Sequence, residues 1–499
     1  MQFTEIQATW PLLESLQLVP LIFALIFWHF KGAISAGFAL LTAVIEFALA
    51  IYLYLNFDTN LDGMQFAHQV NLLGLPYHAA VDGISVLFVL LTALLGLLSV
   101  FFIIFRSFYH TNILAVIAFI QATLMSQFVT VDLLWFTVMS MLEIIATGYL
   151  LYRWATFIDG KPMIIRYSQF MSISILLLLV GTFMLGWNHS MVNDSWSFDL
   201  YDLSTTTVAP EIATFIFFSL FYALGIRIPM FPLHGWLPMT MQYGNVTIAP
   251  ILLLGLKVGF FGLLRFVFPI LPDAVKEWHN IAIIFAMIGI FYAALLAMRQ
   301  NDLRRLMAYG VISHTGILTI GLFTLNRAGF EGSIMLAINF GLAISGLMFM
   351  TGLVFHRTKT AAMDHLGGLF QYMPLVGVAF LIAGLAIVAM PGTPGFDAVH
   401  LVLEASISEF GALTTTAAAL GNVIAAGFLL YAFQQAFLAK PGFSTAAWDK
   451  SPSKITEKIM AISIIFVILG MGFFSSLWLD LFEHTLDGLT SLYSKGEGH

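Results

Sequence analysis

Two basic side chains sit in a stretch that is otherwise almost wholly apolar. Arg227 lies in GIRIPMFPLHGWLP and Lys257 in ILLLGLKVGFFGLLRF, with Pro229, Pro232 and His234 between them. A charge in the middle of hydrocarbon costs about 3 kcal/mol or more, so such residues usually face a polar pathway or one another. A desolvated lysine can be tuned to give up its proton, whereas an arginine stays charged. The chemistry these types suggest is the movement or sensing of charge, with Lys257 the group able to titrate. The bland reading of Lys257 is a side chain that snorkels or pairs structurally. Arg227 is either an electrostatic bias on its neighbours or an ion-pair anchor for a broken helix.

Other ionisable groups fall within apolar runs. Glu143 lies mid-run and needs a partner, for which Arg227 or a neighbouring charge is available. His234 stands beside the prolines, where it either carries protons or caps carbonyls freed by the break. His314, in NDLRRLMAYGVISHTGIL, has the same two readings. His400 and Glu404 are four residues apart, on one face if helical, and form either a titratable pair or a packing face. Glu46 faces either the interior or another subunit. No histidine pair has metal or haem spacing, and no nucleophile constellation or cofactor fingerprint is present.

The elements that must hold these groups follow from composition. Of 499 residues, 60% are apolar and only 9% charged, which describes a polytopic membrane protein. The absence of cysteine excludes thiolate clusters, disulfides and Cys-type zinc sites. No glycine-rich phosphate loop with a following Lys-Ser/Thr occurs, which argues against ATP as the energy source. The first apolar run, from Leu12 to Phe30, lacks a small-residue cleavage site and reads as a span. Runs of about 20 apolar residues predict about 14 transmembrane helices. They begin near Leu12, Ala33, Val81, Asn112, Asp132, Ile165, Pro210, Thr247, Trp278, Asp302, Gly332, Gln371, Thr414 and Ile455. The seventh is interrupted from Arg227 to Pro232 and the twelfth from Met390 to Phe396.

Basic residues test the count. Of 20 Lys and Arg, 14 fall in odd-numbered connections, including Lys31, Arg106, Arg153, Lys161, Arg166, Arg299, Arg304, Arg305, Arg357 and Lys359. The even connections and tails hold Lys276, Arg327 and Lys495, together with acids such as Asp58, Asp62, Asp194, Asp199 and Asp202. The positive-inside rule then puts both termini outside the cytoplasm. The two interrupted spans are five apart, so two five-helix units would have opposite topology, the pattern of an inverted repeat. The expected fold is an all-α polytopic membrane protein. Residues 1–111 form helices one to three, 112–271 a first repeat of helices four to eight, 272–439 a second repeat of helices nine to thirteen, and 440–499 helix fourteen with a tail.

GIRIPMFPLHGWLP, ILLLGLKVGFFGLLRFVFPILPDA, NDLRRLMAYGVISHTGIL and AIVAMPGTPGF, in this order, resemble blocks of the antiporter-like membrane subunits of complex I. The nearest type is NuoM/NdhD, related to Mrp cation/proton antiporter subunits. The resemblance is strong from Leu134 to Ala439. It implies a proton relay through Arg227, standing where the family has lysine, and through Lys257, His234 and His314. The family's glutamate in helix five falls at Met141, two residues from Glu143, which by rotation should face elsewhere. The family's histidine in helix eleven falls at Phe340. Its ionisable group at the end of helix twelve falls at Val399, with His400, Asp397 and Glu404 near.

The implied function is proton or cation translocation in a complex-I-like assembly, with a partly altered relay and no cofactor of its own. The chain would be at most a non-catalytic membrane subunit of a translocase such as NADH:quinone oxidoreductase. One alternative is coupling of cation flow to vectorial CO₂ hydration (inorganic carbon uptake) beside a peripheral zinc carbonic-anhydrase-like protein. Another is a structural subunit that supports an active paralogue. Expected partners are other membrane subunits, antiporter-like paralogues among them, in a bacterial inner or thylakoid membrane.

Overall fold

The computed structural model describes residues 5–7, 10–30, 32–61, 63–72, 75–105, 112–155, 161–244, 249–441 and 448–494. Lys31, Asp62, Arg106, Lys495, the boundary at 111 and the expected start at Thr247 lie outside the described residues. In chain order the helices are α1 (Leu12–Phe27), α2 (Ala33–Asn56), α3 (Gly83–Phe105), α4 (Ile113–Val129), α5 (Leu133–Arg153), α6 (Lys161–Asn193), α7 (Leu200–Thr205), α8 (Pro210–Arg227), α9 (Leu237–Tyr243) and α10 (Ala249–Gly262). They continue with α11 (Phe268–Ile270), α12 (Pro272–Met298), α13 (Leu303–Leu322), α14 (Arg327–Thr358), α15 (Pro374–Ile387), α16 (Pro394–Phe410), α17 (Ala412–Phe433), α18 (Ile455–Phe473), α19 (Ser476–Leu479) and α20 (Glu483–Ser491). A π-turn, Leu263–Val267, joins α10 to α11.

Among the described residues, nine helices are long and apolar enough to cross a membrane, and α1, α4 and α15 are shorter apolar helices. The helix starts lie within six residues of those expected. Both breaks are present: α8 and α9 make the seventh span, and α15 and α16 the twelfth. Between them α13 and α14 form the centre, and every residue in the most apolar stretch of α14 is buried. By contrast α2, α6, α12, α17 and α18 each leave an apolar face outward, as lipid-facing or subunit-facing helices do.

The chain is mostly helical, as expected, and adds one small sheet. Strands β1 (Glu5–Gln7), β2 (Met64–Leu72) and β3 (Leu75–Val81) form a sheet in that order, β1–β2 parallel and β2–β3 antiparallel. Strands β2 and β3 occupy the second connection and β1 precedes α1, all outside the apolar spans, where helical periodicity has no force. The sheet's edge is closed against the starts of α5 and α7. Val131 N donates to His78 O, Leu133 N to Phe198 O, and Leu200 N to Val131 O.

Helix ends are set by short polar residues. Asp132, Asp199, Asp302 and Asn326 accept from backbone N–H groups of the first turns of α5, α7, α13 and α14, satisfying donors a helix leaves unpaired. Side chains satisfy carbonyls at both breaks, from within the span in the seventh and from neighbouring helices in the twelfth. Trp236 Nε1 donates to Ile226 O at 2.9 Å in the seventh span. In the twelfth, Asn339 Nδ2 donates to Ala386 O at 2.9 Å and Asn422 Nδ2 to Val388 O at 3.1 Å. Irregular backbone is tolerated at membrane depth only with such partners.

Candidate functional site

The site is built where α5, α8, α10, α13 and α14 meet. On α5 the polar residues Thr137, Ser140, Glu143 and Thr147 recur every three or four positions and all are buried. That spacing places them on one face, turned into the bundle. Arg227, in the last turn of α8, reaches this face and forms an ion pair with the Glu143 carboxylate. Thr147 Oγ1 donates to Glu143 Oε1 at 3.1 Å, and Arg227 Nη2 also lies 3.4 Å from Gly255 O. Both charged side chains are 3–4% exposed. Arg227 is thus the partner Glu143 needs, and the rotation implied by aligning the family's glutamate at Met141, which turns Glu143 elsewhere, is corrected. It is Met141 that turns outward, onto an open groove between α5 and α6.

Close packing at α10 depends on glycine. A Cβ on Gly255 would stand 2.9 Å from Glu143 Oε1, and one on Gly259 2.7 Å from Leu224 O. These two glycines, four residues apart, let α10 lie directly on α8. Lys257 stands between them in sequence, about 200° round the helix from Gly255, and so points the other way. It enters a small cavity lined by Ile228, Leu256, Phe260, Val311, Thr315, Leu318, Phe340 and Ile344. Its ammonium lies 5.9 Å from the centre of the Phe340 ring. No carboxylate or hydrogen-bond acceptor is paired with Lys257 among the described residues. A lysine held in this way carries a charge that only a proton's departure, an entering water or a moving neighbour can relieve.

Phe340 separates Lys257 from His314, whose ring lies edge-on to it at 5.0 Å. Nδ1 of His314 donates to Gly310 O at 2.9 Å, which assigns the neutral ring its acceptor at Nε2. Nε2 has no hydrogen-bond partner among the described residues, and Asn422 and the Ile387 backbone lie near the ring. His314 thus looks into the broken twelfth span. His234 is buried beside the other break, stacked on Phe231 at 5.7 Å and edge-on to Tyr292 at 5.2 Å. Its Nδ1 has no hydrogen-bond partner among the described residues, and Trp236 caps the Ile226 carbonyl.

His400 and Glu404 stand apart from this line. Both lie on the exposed face of α16 with Asp397, while Val399 and Val402 turn inward. They do not replace an interior group of the twelfth span, because the inward face of α16 is filled by Ala398, Val402 and Ala405. Sequence reasoning missed Asn339 and Asn422, which close the twelfth-span break. It also missed Asp82, which pairs with Arg265 at 2.5 Å while Ser85 Oγ accepts from the same guanidinium at 2.8 Å. The signal was present: three cations within spans called for three acids, and Asp82 opens the third. Arg304 and Arg357, read as cytoplasmic boundary markers, are buried clamps. Arg304 donates to Gly244 O, and Arg357 pairs with Glu457 at 2.6 Å and reaches Ser451 O at 2.5 Å.

A helical bundle with two broken spans and a charge line between them defines an antiporter-like membrane subunit. Residues 164–425 match the family model described as NADH:quinone oxidoreductase/Mrp antiporter, TM, and the chain belongs to that family. It is 28% identical over 494 residues to NADH-quinone oxidoreductase subunit M of Escherichia coli (strain K12), covering 94% of this chain and 96% of that one. It is 29% identical over 467 residues to subunit M of Rickettsia conorii, covering 90% and 91%. Among solved structures it superposes on a chain of respiratory complex I from Thermus thermophilus with a TM-score of 0.87 at 25% identity, covering 97% of this chain and all of that one. A chain of the Mrp complex from Dietzia sp. DQ12-45-1b gives a TM-score of 0.85 at 17% identity, covering 97% and 99%, and shares the fold.

Proposed function

We propose that the chain carries proton (or cation) translocation within the membrane arm of a complex-I-like assembly, with Lys257 as the interior group that gains and loses the proton. The observation that carries this is the Lys257 ammonium, held in an apolar cavity with no counter-ion among the described residues. Paired with Glu143, Arg227 exerts little net field. Separated from it, the fixed guanidinium charge disfavours a second cation nearby and favours proton release from Lys257. Residues 112–271 and 272–439 are the two units between which the charge would pass, and His234 and His314 serve at the two breaks. The positive-inside pattern supports termini on the non-cytoplasmic side of a bacterial inner membrane. The two sequence relatives are named as subunits of NADH-quinone oxidoreductase, which favours this reading over inorganic carbon uptake. Co-purification decides between them: flavin and iron–sulfur subunits fit the first, a peripheral zinc protein the second.

One observation favours a second reading. Phe340 stands between Lys257 and His314, and the cavity there is apolar apart from Lys257 and Thr315. A proton has no side-chain route across it, which would make the chain a structural subunit beside an active paralogue. Lys257→Met separates the two. In the assembled complex it is expected to abolish proton transport driven through this subunit. Unchanged transport, with the complex intact, would overturn the relay and leave the structural role.

A further inference from the structure

A groove of about 600 Å³ opens on the outside of the bundle between α5 and α6. Its floor is made by Ile144, Tyr167 and Met171, all buried. Tyr167 is fixed there, because its hydroxyl donates to Ile144 O at 3.3 Å. The rims are Ile145, Tyr152 and Leu176, which are 61%, 71% and 62% exposed. Residue 148 is glycine, so α5 lays no side chain over the Tyr167 ring; a Cβ there would stand 3.4 Å from Tyr167 Cε1. The groove runs along α5 from Met141 to Tyr152 and along α6 from Ile164 to Leu179. At the rise of an α-helix these stretches are about 17 Å and about 22 Å long. Both fall short of the about 30 Å hydrocarbon core. The groove therefore admits a chain from one leaflet and does not run the length of a crossing helix.

The mouth of the groove decides which chain it suits. Arg153 comes four residues after Tyr149 and Lys161 three before Ile164, so each stands on the groove face of its own helix. Both are exposed. Arg166 is turned aside, with Nη1 at 3.6 Å from Met239 Sδ. Helix α6 contains no acid, and the one acid of α5, Glu143, is already paired with Arg227. The mouth thus carries two cations that no carboxylate on either helix balances. Aromatic rings mark the same level. Tyr149 stacks on Trp28 at 6.1 Å and meets Trp154 edge-on at 5.9 Å. Trp and Tyr gather where headgroups meet hydrocarbon.

We propose that this groove is a binding site for an anionic phospholipid, with one acyl chain lying over Tyr167 and Met171 and the phosphate meeting Arg153 and Lys161. Basic residues at the end of an apolar crevice hold acidic headgroups by charge. A zwitterionic lipid brings its own cation to the phosphate and gains less from the pair. The bound chain braces the outer side of α5, whose inner side carries Glu143. This inference does not depend on Lys257 being a relay.

Photolabelling of the assembled complex in proteoliposomes tests it. The probe is phosphatidylglycerol with a diazirine in its acyl chain, and adducts are mapped by peptide mass spectrometry. Adducts are expected at groove residues such as Ile145 and Leu176. Excess unlabelled phosphatidylglycerol is expected to remove them, and the same excess of phosphatidylcholine to leave them in place. Arg153→Gln/Lys161→Gln is expected to lower them roughly tenfold, while labelling of the outward face of α2 stays unchanged. The lipid competition needs no variant, so it decides the matter if the double variant fails to assemble. Equal displacement by the two lipids would overturn the proposal, since it means ordinary surrounding lipid. Adducts that survive the loss of both charges would do the same, because the headgroup is then not held by them. Absence of adducts in the groove would mean that another membrane helix covers it, and the lipid site would be excluded.

Discussion

Glu143 and Arg227 pair their charges in a space almost closed to solvent, and that dictates how substitutions there behave. Removing one member of a buried pair leaves the other ion uncompensated, at a cost of about 3–5 kcal/mol, whereas replacing both by apolar groups is often close to neutral. Glu143→Gln and Arg227→Met are each expected to lower the thermal stability of the purified complex or reduce incorporation of the subunit. The double variant Glu143→Leu/Arg227→Met is expected to recover most of that loss while remaining inactive in transport. Equal losses in the single and double variants would mean that the pair is not the anchor described. Much of this residue-scale picture was legible in the sequence: Lys257, Arg227 and the break between them stand out against an apolar background. The position of Glu143 was misread because it was placed by analogy with an expected residue at Met141. The face of α5 was itself readable, since Thr137, Ser140, Glu143 and Thr147 keep helical spacing. The Phe340 wedge was visible only as a missing histidine, because a phenylalanine in an apolar helix carries no signal of its own.

At the scale of elements, the spans were readable because about 20 apolar residues are needed to cross hydrocarbon. The sheet was not, because β2 and β3 lie in a connection where no membrane imposes a pattern. Its attachment to the bundle concentrates three titratable groups. His78 is bonded to Asp199 at 2.5 Å, and Asp132, the cap of α5, is bridged through its backbone to Asp199. Burial, with the charge of Asp199 adding to it, pushes the Asp132 carboxyl up from 3.8 to about 6, against the opposing effects of the Trp135 N–H and His78. The folded protein thus binds this proton more tightly than the unfolded chain does. Stability contributed here is present below the ordinary carboxylate range and is lost as pH rises from about 4 to about 6. Asp132→Asn keeps an N-cap acceptor and removes the titration. It is expected to flatten the pH dependence of the melting temperature in that interval, measured against wild type in the same detergent. An unchanged slope would assign the effect elsewhere.

Across the whole molecule, the contacts sort the connections into two groups. The Asp199 loop touches β3, Tyr54 donates to Leu477 O at 2.7 Å, Arg327 pairs with Glu483 at 3.0 Å, and Tyr493 donates to Phe268 O at 2.8 Å. All of these join even-numbered connections, or the segment after α18, to one another. Leu303 N donates to Ala361 O at 2.9 Å, Arg304 reaches Gly244 O, and Arg357 pairs with Glu457. All of these join odd-numbered connections. The alternation of charge and the alternation of contacts agree, as they must if each span crosses once and its neighbour returns. Contacts give two faces without naming them; we propose from the excess of Lys and Arg that the odd face is the cytoplasmic one. The chain has no cysteine, so single introduced thiols report sidedness against a clean background. Ser195 and Ser451 are both exposed, one on each face. Ser195→Cys is expected to react with an impermeant maleimide on intact cells, and Ser451→Cys only after the membrane is opened. The reverse pattern would invert the proposed orientation. Labelling of both from one side would break the correspondence between charge and contacts on which the fourteen-span topology rests.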